Sequence, residues 1–477
     1  MCNLFCLAHD RHFGDLLFLF LERTQAVVGL KGSAMVEPQP QLAVVILAAG
    51  QGTRMKSRRA KVMHEIAGKP MLDYVLRVAE RLEPQRIVTV VGKDSEEVEA
   101  YFEGRTEFVR QLNQKGTGHA VLQARKALEN FSGEISVLYG DTPLLCAETL
   151  RGMVSKKSIS GASLTLLSTK RRLPGLLQRD QEGFVERIIE STDATTEELK
   201  LVEYNSGVYL IRSDFIWGAL DELKNENAQG ELYLTDLVEI AVSRGLQVEA
   251  IPSQNDDEVL GVNNRAELAE AEAIQRGRNL SDLLENGVTF VDPATTYIDT
   301  GVEIGQDSRV EPGCSILGET RLGEGVQIKA NSIIESSTIE NDVQIGPFAH
   351  LRPNCHIGSG TRIGNYVEVK NSTLGRGVKA DHLSYIGDAD VGDEASFGCG
   401  AIVVNYDGVN KHRTSIGARA FIGCNVNLVA PIRIDSDTFV AAGSTITKDV
   451  PRDALVVARE KQRTVEGWVT KHRKVRE

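Results

Sequence analysis

Aromatic residues are scarce, only 5% of this 477-residue sequence, against 42% hydrophobic and 25% charged, a balance that suits a globular chain whose core is aliphatic. The cysteines (Cys2, Cys6, Cys146, Cys314, Cys355, Cys399, Cys424) form no Cys-x-x-Cys pair and are odd in number. That argues against a zinc site or a disulfide framework and for reduced thiols in a cytoplasmic protein. Positive charge is not in excess: the formal net charge is −12 and the pI about 5.4. Nucleic acid is thereby excluded as the main partner, since phosphate binding needs a basic face. No run reaches the roughly 18 apolar residues of a membrane span. The short run Leu16 to Leu21, flanked by Asp15 and by Glu22 and Arg23, lacks the basic start and cleavage site of a secretory signal. Residues 1–41 are expected to be a disordered extension ahead of a start near Met35.

What the sequence does contain is a period. An aliphatic residue returns every six positions at Ile298, Ile304, Val310, Ile316, Leu322, Ile328 and Ile334. The same spacing resumes at Ile345, Leu351, Ile357, Ile363 and Val369, and again at Ile416, Ile422, Leu428, Ile434, Val440 and Ile446. Helices repeat at 3.6 and strands at 2, so a strict six reads as a hexapeptide solenoid with one inward aliphatic per short strand and three strands per coil. The steps Ile334 to Ile339 and Val369 to Leu374 are one residue short, and the register reads as unsettled between Leu374 and Ile386. Between Val403 and Ile416 the chain inserts Asn405 to Lys411. Insertions in solenoids are loops thrown out on one face, and such loops often carry binding sites.

The front half has another grammar. Leu42 to Ala49 is an apolar run of the kind that fills a buried parallel strand, and it ends in Gly50-Gln51-Gly52-Thr53-Arg54-Met55. Further strands read at Arg86 to Val91, Glu134 to Tyr139 and Ala162 to Ser168, with helices near Met71 to Leu82, Gly118 to Leu128 and Glu148 to Val154. This alternation predicts a doubly wound, Rossmann-like α/β domain with its site at the carboxyl ends of the strands. The Gly-rich turn fits neither the dinucleotide fingerprint nor the P-loop. It leaves amides that could face phosphate, with Arg54 and Lys61 nearby, and Asp141, ending an apolar strand, is well placed for Mg²⁺. Arg265 to Glu285, rich in Ala, Glu, Leu and Arg, reads as a long helix joining the two halves.

These residues carry a resemblance. Leu47-Ala48-Ala49-Gly50-Gln51-Gly52-Thr53-Arg54-Met55 with Lys61 resembles the signature of sugar-1-phosphate nucleotidyltransferases, and Gln111 with Gly116-Thr117-Gly118 resembles their uracil-reading segment. Tyr139-Gly140-Asp141, Glu190, Asn205-Ser206-Gly207, Gly230 to Asp236 and Gly261-Val262-Asn263 follow in order. With a hexapeptide solenoid behind it, the chain resembles the bacterial bifunctional N-acetylglucosamine-1-phosphate uridyltransferases and glucosamine-1-phosphate N-acetyltransferases, from about Leu42 to Trp468. The resemblance implies cytoplasmic synthesis of UDP-N-acetylglucosamine from UTP, acetyl-CoA and the sugar phosphates. It implies a left-handed parallel β-helix and a homotrimer.

By that resemblance Asp141 and Asn263 would hold Mg²⁺, Arg54 and Lys61 would neutralise the triphosphate, and Gln111 and Gly116 would read uracil. Leu47, Ala48, Gly50, Gly52, Thr117, Tyr139 and Gly140 would line the nucleotide site, and Glu190, Asn205, Tyr233 and Thr235 would grip the sugar. Relatives usually carry Gly-Tyr-Gly-Arg where this chain runs Pro174-Gly175-Leu176-Leu177-Gln178, and Gly175 stands in for the ligand-contacting glycine. In the solenoid, His382-Leu383-Ser384-Tyr385 matches the acetyltransferase motif. His382 would be the general base, a role that suits a side chain titrating near neutrality. Arg352 and Lys370 would hold the sugar phosphate, with Tyr385, Asn405 and Ser396 at the amino sugar, Ser396 replacing the usual Asn. Cys399, Asn405, Tyr406, Cys424, Ala442 and Arg459 would line the acetyl-CoA channel, the cysteines serving as small residues.

The expected division is an extension (1–41), a uridyltransferase domain (42–265), a linker helix (266–286), a β-helix (287–455) and a basic tail (456–477). Two rivals remain on sequence grounds. One is a nucleotidyltransferase for another sugar with a structural β-helix. The other is a non-catalytic scaffold subunit, against which the retained Arg54, Lys61, Asp141 and Asn263 count.

Overall fold

The computed structural model describes residues 41–473, so the extension expected over 1–41 lies outside them apart from Gln41. The front domain is built on a seven-strand path: β1 (Leu42–Ala48), β2 (Arg86–Val91), β3 (Glu107–Arg110), β4 (Glu134–Tyr139), β5 (Leu164–Thr169), β6 (Tyr204–Arg212) and β7 (Val248–Pro252). Their order is β7-β5-β6-β4-β1-β2-β3. Every pairing is parallel except that β6 runs antiparallel to both β4 and β5. The sheet is therefore mixed rather than purely doubly wound, and a hairpin, Gly175–Arg179 with Val185–Glu190, is attached through the pair Tyr204 and Leu176.

Strand β1 sits between β2 and β4 and is buried over Leu42 to Leu47, as its unbroken apolar run requires. The helix expected to run to Leu128 stops at Gln123 and resumes as a 3₁₀ turn over Lys126–Leu128. The helix expected over Glu148 to Val154 extends over Ala147–Ser160 and ends at Gly161, whose left-handed backbone closes it.

The helix Arg265–Glu285 begins where Asn264 accepts bonds from the amides of Ala266 (2.9 Å) and Glu267 (3.0 Å), satisfying orphan donors of its first turn. It buries Ala271 in the front domain and Leu280 in the solenoid core. Beside it, the Tyr74 hydroxyl donates to the Ile66 carbonyl (2.6 Å) and lies 2.8 Å from Thr300 Oγ1 in the first solenoid coil. The helix and this tyrosine join the two halves together with the Thr300 amide, which donates to the Ala67 carbonyl at 2.8 Å, and the ion pair of Lys69 with Glu319.

From Thr289 onward the chain winds a three-faced parallel β-helix whose sheets hold ten, nine and eight strands. Every aliphatic of the six-residue series is buried, none more than 8% exposed, each contributing about 1.5–3 kcal/mol against exposure. The short steps are absorbed between the second and third faces without loss of pairing: Leu322 still stands over Ile339 and Ile357 over Leu374. The stretch expected to be unsettled is in register. Ala380, fully buried, is the inward residue between Leu374 and Ile386, and it pairs in the ladder with Phe397, which is also buried. An alternation of small and large side chains hid the period, not a break in it.

Candidate functional site

Strands β1 and β4 end side by side, Leu47 opposite Tyr139, and the Gly140 amide donates to the Leu47 carbonyl at 2.9 Å. A cleft of about 270 Å³ opens there, lined by Leu47, Ala48, Gly50, Lys61, Gln111, Gly116, Thr117, Tyr139 and Asp141 among others. The turn above it needs glycine: Gly52 is left-handed (φ 60°), and a Cβ on it would stand 2.7 Å from Lys61 Cβ. Lys61 thereby lies tight against the turn and aims its ammonium at the strand ends. It forms an ion pair with Asp141 and donates to Asn263 Oδ1 at 3.0 Å, and Arg54 donates to the same oxygen at 3.1 Å. Asn263 comes from far along the chain and is delivered by the Val262 amide, which donates to the Asp141 carbonyl at 2.8 Å.

Gln111 is buried, and its amide nitrogen donates to the Gly116 carbonyl (3.2 Å) and lies 2.9 Å from His119 Nδ1. Both amide hydrogens are thus engaged inside the protein, leaving the carbonyl oxygen to face a ligand. Thr117 Oγ1 accepts from the Leu234 amide at 3.0 Å. The Tyr139 ring packs on Gly207 so closely that a Cβ there would lie 2.6 Å from the ring, and burial pushes its phenol pKa up.

Beside this cleft the attached hairpin and β6 bring together Gly175, Glu190 and Asn205. Gly175 stands opposite Glu190 in the ladder, and a Cβ on it would touch Asn205 Cβ at 3.3 Å. Thr235 Oγ1 donates to Glu190 Oε1 at 3.5 Å, and the buried Tyr233 hydroxyl has no partner among the described residues. Burial raises the Glu190 pKa. Burial first, then Glu239, Glu190 and Asp193, pushes the Asp236 carboxyl up to about 6. A carboxyl raised by folding costs nothing below its unfolded pKa of about 4, and the cost grows as pH rises through the folded value. Asp236→Asn is therefore expected to stabilise the protein near pH 8 by about 1 kcal/mol, after discounting for solvent screening of this partly exposed group, and to change nothing near pH 4. Urea midpoints at the two pH values check the difference.

In the solenoid the candidate residues fall at two corners of the coil. At the corner between the second and third faces, Lys370 and Lys411 stand together, and Lys411 lowers the Lys370 pKa. Neither forms an ion pair among the described residues. Asp388 takes bonds there from Asn371 (2.5 Å) and Asn405, and Asn405 also reaches the Tyr385 hydroxyl at 3.4 Å. Arg352, nearby on the second face, donates to Glu368 at 3.1 Å.

At the corner between the first and second faces, Asn365 pairs in the ladder with His382, and His382 Nδ1 lies 2.8 Å from Asn365 Oδ1. The register carries on through Cys399 and Cys424, with the Asn425 amide donating to the Cys399 carbonyl at 2.8 Å. It ends beyond Ala442, whose carbonyl accepts from Arg459 at 2.7 Å. Tyr406 belongs to the inserted loop, its hydroxyl donating to the Gly408 carbonyl at 2.6 Å. Ser396 lies on the first face, paired with Lys379 and Phe421, and one chain does not bring it to the Lys370 corner.

The bifunctional protein GlmU of Geotalea uraniireducens (strain Rf4) is 44% identical to this chain over 452 residues, covering 90% of this chain and 99% of that protein. The chain belongs to the bifunctional GlmU family. The GlmU protein of Halalkalibacterium halodurans is 45% identical over 446 residues, covering 90% of this chain and 98% of its own. Residues 44–232 match the family model described as a MobA-like NTP transferase domain, and residues 336–371 match the bacterial transferase hexapeptide (six repeats). The two models fall on the two parts of the fold, which is that of a nucleotidyltransferase domain followed by a left-handed parallel β-helix. A solved UDP-glucose pyrophosphorylase complexed with UDP-glucose aligns at 18% identity with 50% of this chain and 99% of its own, at a TM-score of 0.41, too low to add to the assignment.

Sequence reasoning did not single out three polar residues of these candidate corners. Asn365, on the coil before His382, has only its ladder position to mark it. Asp388 and Asn371 are spaced like other corner residues, and their pairing with each other emerges only when the coils stack.

Proposed function

We propose that this chain makes UDP-N-acetylglucosamine in two steps. At the β-helix the amine of glucosamine-1-phosphate attacks the thioester of acetyl-CoA. At the front cleft a phosphate oxygen of N-acetylglucosamine-1-phosphate attacks the α-phosphorus of UTP, and pyrophosphate leaves. The observation that carries the reading is the meeting of Lys61, Asp141 and Asn263 at the strand ends of a chain that spans a bifunctional relative nearly end to end.

Asp141 and Asn263 turn two oxygens toward one ammonium, so the donor set suits a hard cation, and a carboxylate with an amide oxygen is what Mg²⁺ takes alongside substrate phosphates. Mg²⁺ held by these two would neutralise charge on the phosphates. Lys61 would then move from the carboxylate to the triphosphate, joined by Arg54. The free carbonyl of Gln111 suits the N3–H of uracil, beside Gly116. Glu190, Asn205, Tyr233 and Thr235 lie together where the sugar would follow. The protein's task here is alignment and charge neutralisation.

In the β-helix, the unpaired Lys370 and Lys411 with Arg352 suit a sugar phosphate, since an anion relieves their repulsion. An amide oxygen only accepts, so the Asn365 contact puts the hydrogen of His382 on Nδ1 and leaves the Nε2 lone pair to take the proton of the amine. Asn365 is thus a positioning residue. Asn365→Ala is expected to lower kcat for acetyl transfer about 10- to 100-fold, the worth of one hydrogen bond to a group that becomes charged. KM stays near wild type, and a change confined to KM would refute the role.

His382 and the Lys370 corner stand at opposite edges of one sheet face, a division that supports a homotrimer with the acetyl site shared between neighbouring solenoids. Phe348, Tyr366 and Leu383 support it too. All three are exposed in left-handed backbone (φ 56°, 56° and 42°), a conformation unfavourable for bulky residues, and the first two rings stack at 5.3 Å. A second copy would cover this ridge. Among the described residues no helix is long and apolar enough to cross a membrane, and free thiols fit the cytoplasm. Assays of UTP with N-acetylglucosamine-1-phosphate, and of acetyl-CoA with glucosamine-1-phosphate, test the reading. Pyrophosphate release without acetyl transfer would reduce the β-helix to a scaffold.

A further inference from the structure

Five free cysteines lie in the described residues, and they divide into two kinds. Cys314 and Cys355 are buried, with their thiols turned to the carbonyls of Lys329 (3.3 Å) and Arg352 (3.0 Å), and Cys146 faces the Leu144 carbonyl at 3.8 Å. Cys399 and Cys424 are exposed and make no side-chain hydrogen bond among the described residues. They are also neighbours. The ladder sets Ser396 over Phe421 and Phe397 over Ile422; Cys399 and Cys424 each lie two residues beyond these strands, in turns that stack through the 2.8 Å bond from the Asn425 amide to the Cys399 carbonyl. A Cβ on Gly398 would stand 2.9 Å from Cys424 Cα, so these coils are in close contact at this corner.

In-register residues of adjacent strands are about 4.8 Å apart and point the same way. Both thiols are therefore exposed on stacked turns of one corner, one coil apart. His382 lies at the same corner on the preceding coil, but its Nδ1 is turned to Asn365, which leaves the two sulfurs as the paired soft donors of this corner.

We propose that Cys399 and Cys424 form a dithiol site for a thiophilic centre, trivalent arsenic or a soft divalent cation, and that filling it blocks acetyl transfer. The blocking rests on the reading above that this column lines the acetyl-CoA channel. Soft sulfur donors select such centres over hard ones, and once one thiol has bound, the second reacts from a fixed short distance, so the pair holds where either thiol alone would not. With an organic arsenical oxide the step balances without redox change: two S–H bonds break, two As–S bonds form, and the arsenic-bound oxygen leaves as water.

The test uses full-length protein and phenylarsine oxide, with excess reagent removed before assay. The expected result is one arsenical per chain by intact mass, acetyl transfer lost and uridylyl transfer kept, and recovery with 2,3-dimercaptopropanol but not with an equal concentration of a monothiol. Cys399→Ala and Cys424→Ala, each compared with its own untreated activity, should take up no stable arsenical and resist inhibition. Uptake by either variant equal to that of the wild type, or none by the wild type, overturns the dithiol site. Uptake that depends on both cysteines but spares acetyl transfer overturns the blocking and the channel placement instead, while the dithiol site stands.

Discussion

His382→Ala is expected to lower acetyl transfer by roughly 10² to 10⁴, the usual worth of a positioned general base, while uridylyl transfer from supplied N-acetylglucosamine-1-phosphate continues. The amine of glucosamine-1-phosphate must shed a proton as it attacks the thioester. His382 is exposed at its corner, and its Nδ1 is fixed by Asn365 at 2.8 Å, which frees the other nitrogen. The acid limb of the pH profile for kcat/KM should disappear in the variant once the limb of the substrate amine, measured separately, has been subtracted. Near-wild-type acetyl transfer by a folded variant of unchanged oligomeric state would show that the substrate amine needs no base from this residue.

Asp141→Ala should have an effect of similar size in the other half. The variant leaves Lys61 with only Asn263 and removes one of the two oxygens suited to Mg²⁺, so uridylyl transfer is expected to fall by roughly 10³ or more, as several kcal/mol of charge stabilisation is lost. Acetyl transfer should stay within a few fold, because Asp141 is in the front domain and the proposed acetyl site is in the β-helix. Two equally damaged activities in a protein with an unchanged melting temperature would reject independent sites. Raising Mg²⁺ should not restore the rate, because the missing group is a ligand rather than the ion.

Much of this was legible in residues. Ile304, Leu322 and Ile357 announce a β-helix because each coil repeats the same local requirement, one inward aliphatic between two tight corners. Lys61 and Asp141 were legible through the motifs around them. Asn365 was not, because nothing in its neighbourhood distinguishes it from other corner asparagines, and Ala380 was misread as a break because its partner Phe397 is out of sight in a linear chain.

The sequence alone determined the two architectures, the boundary helix, and the candidates for chemistry. These depend on spacing and local backbone preference, which act over a few residues. Only the tertiary structure decided that β6 runs antiparallel, that Asn263 closes on Asp141 through the amide of Val262, and that His382, Cys399 and Cys424 share one corner while Lys370 and Asn405 share another. Those outcomes follow from register between distant segments, set by how buried faces pack and how backbone groups find partners across the fold.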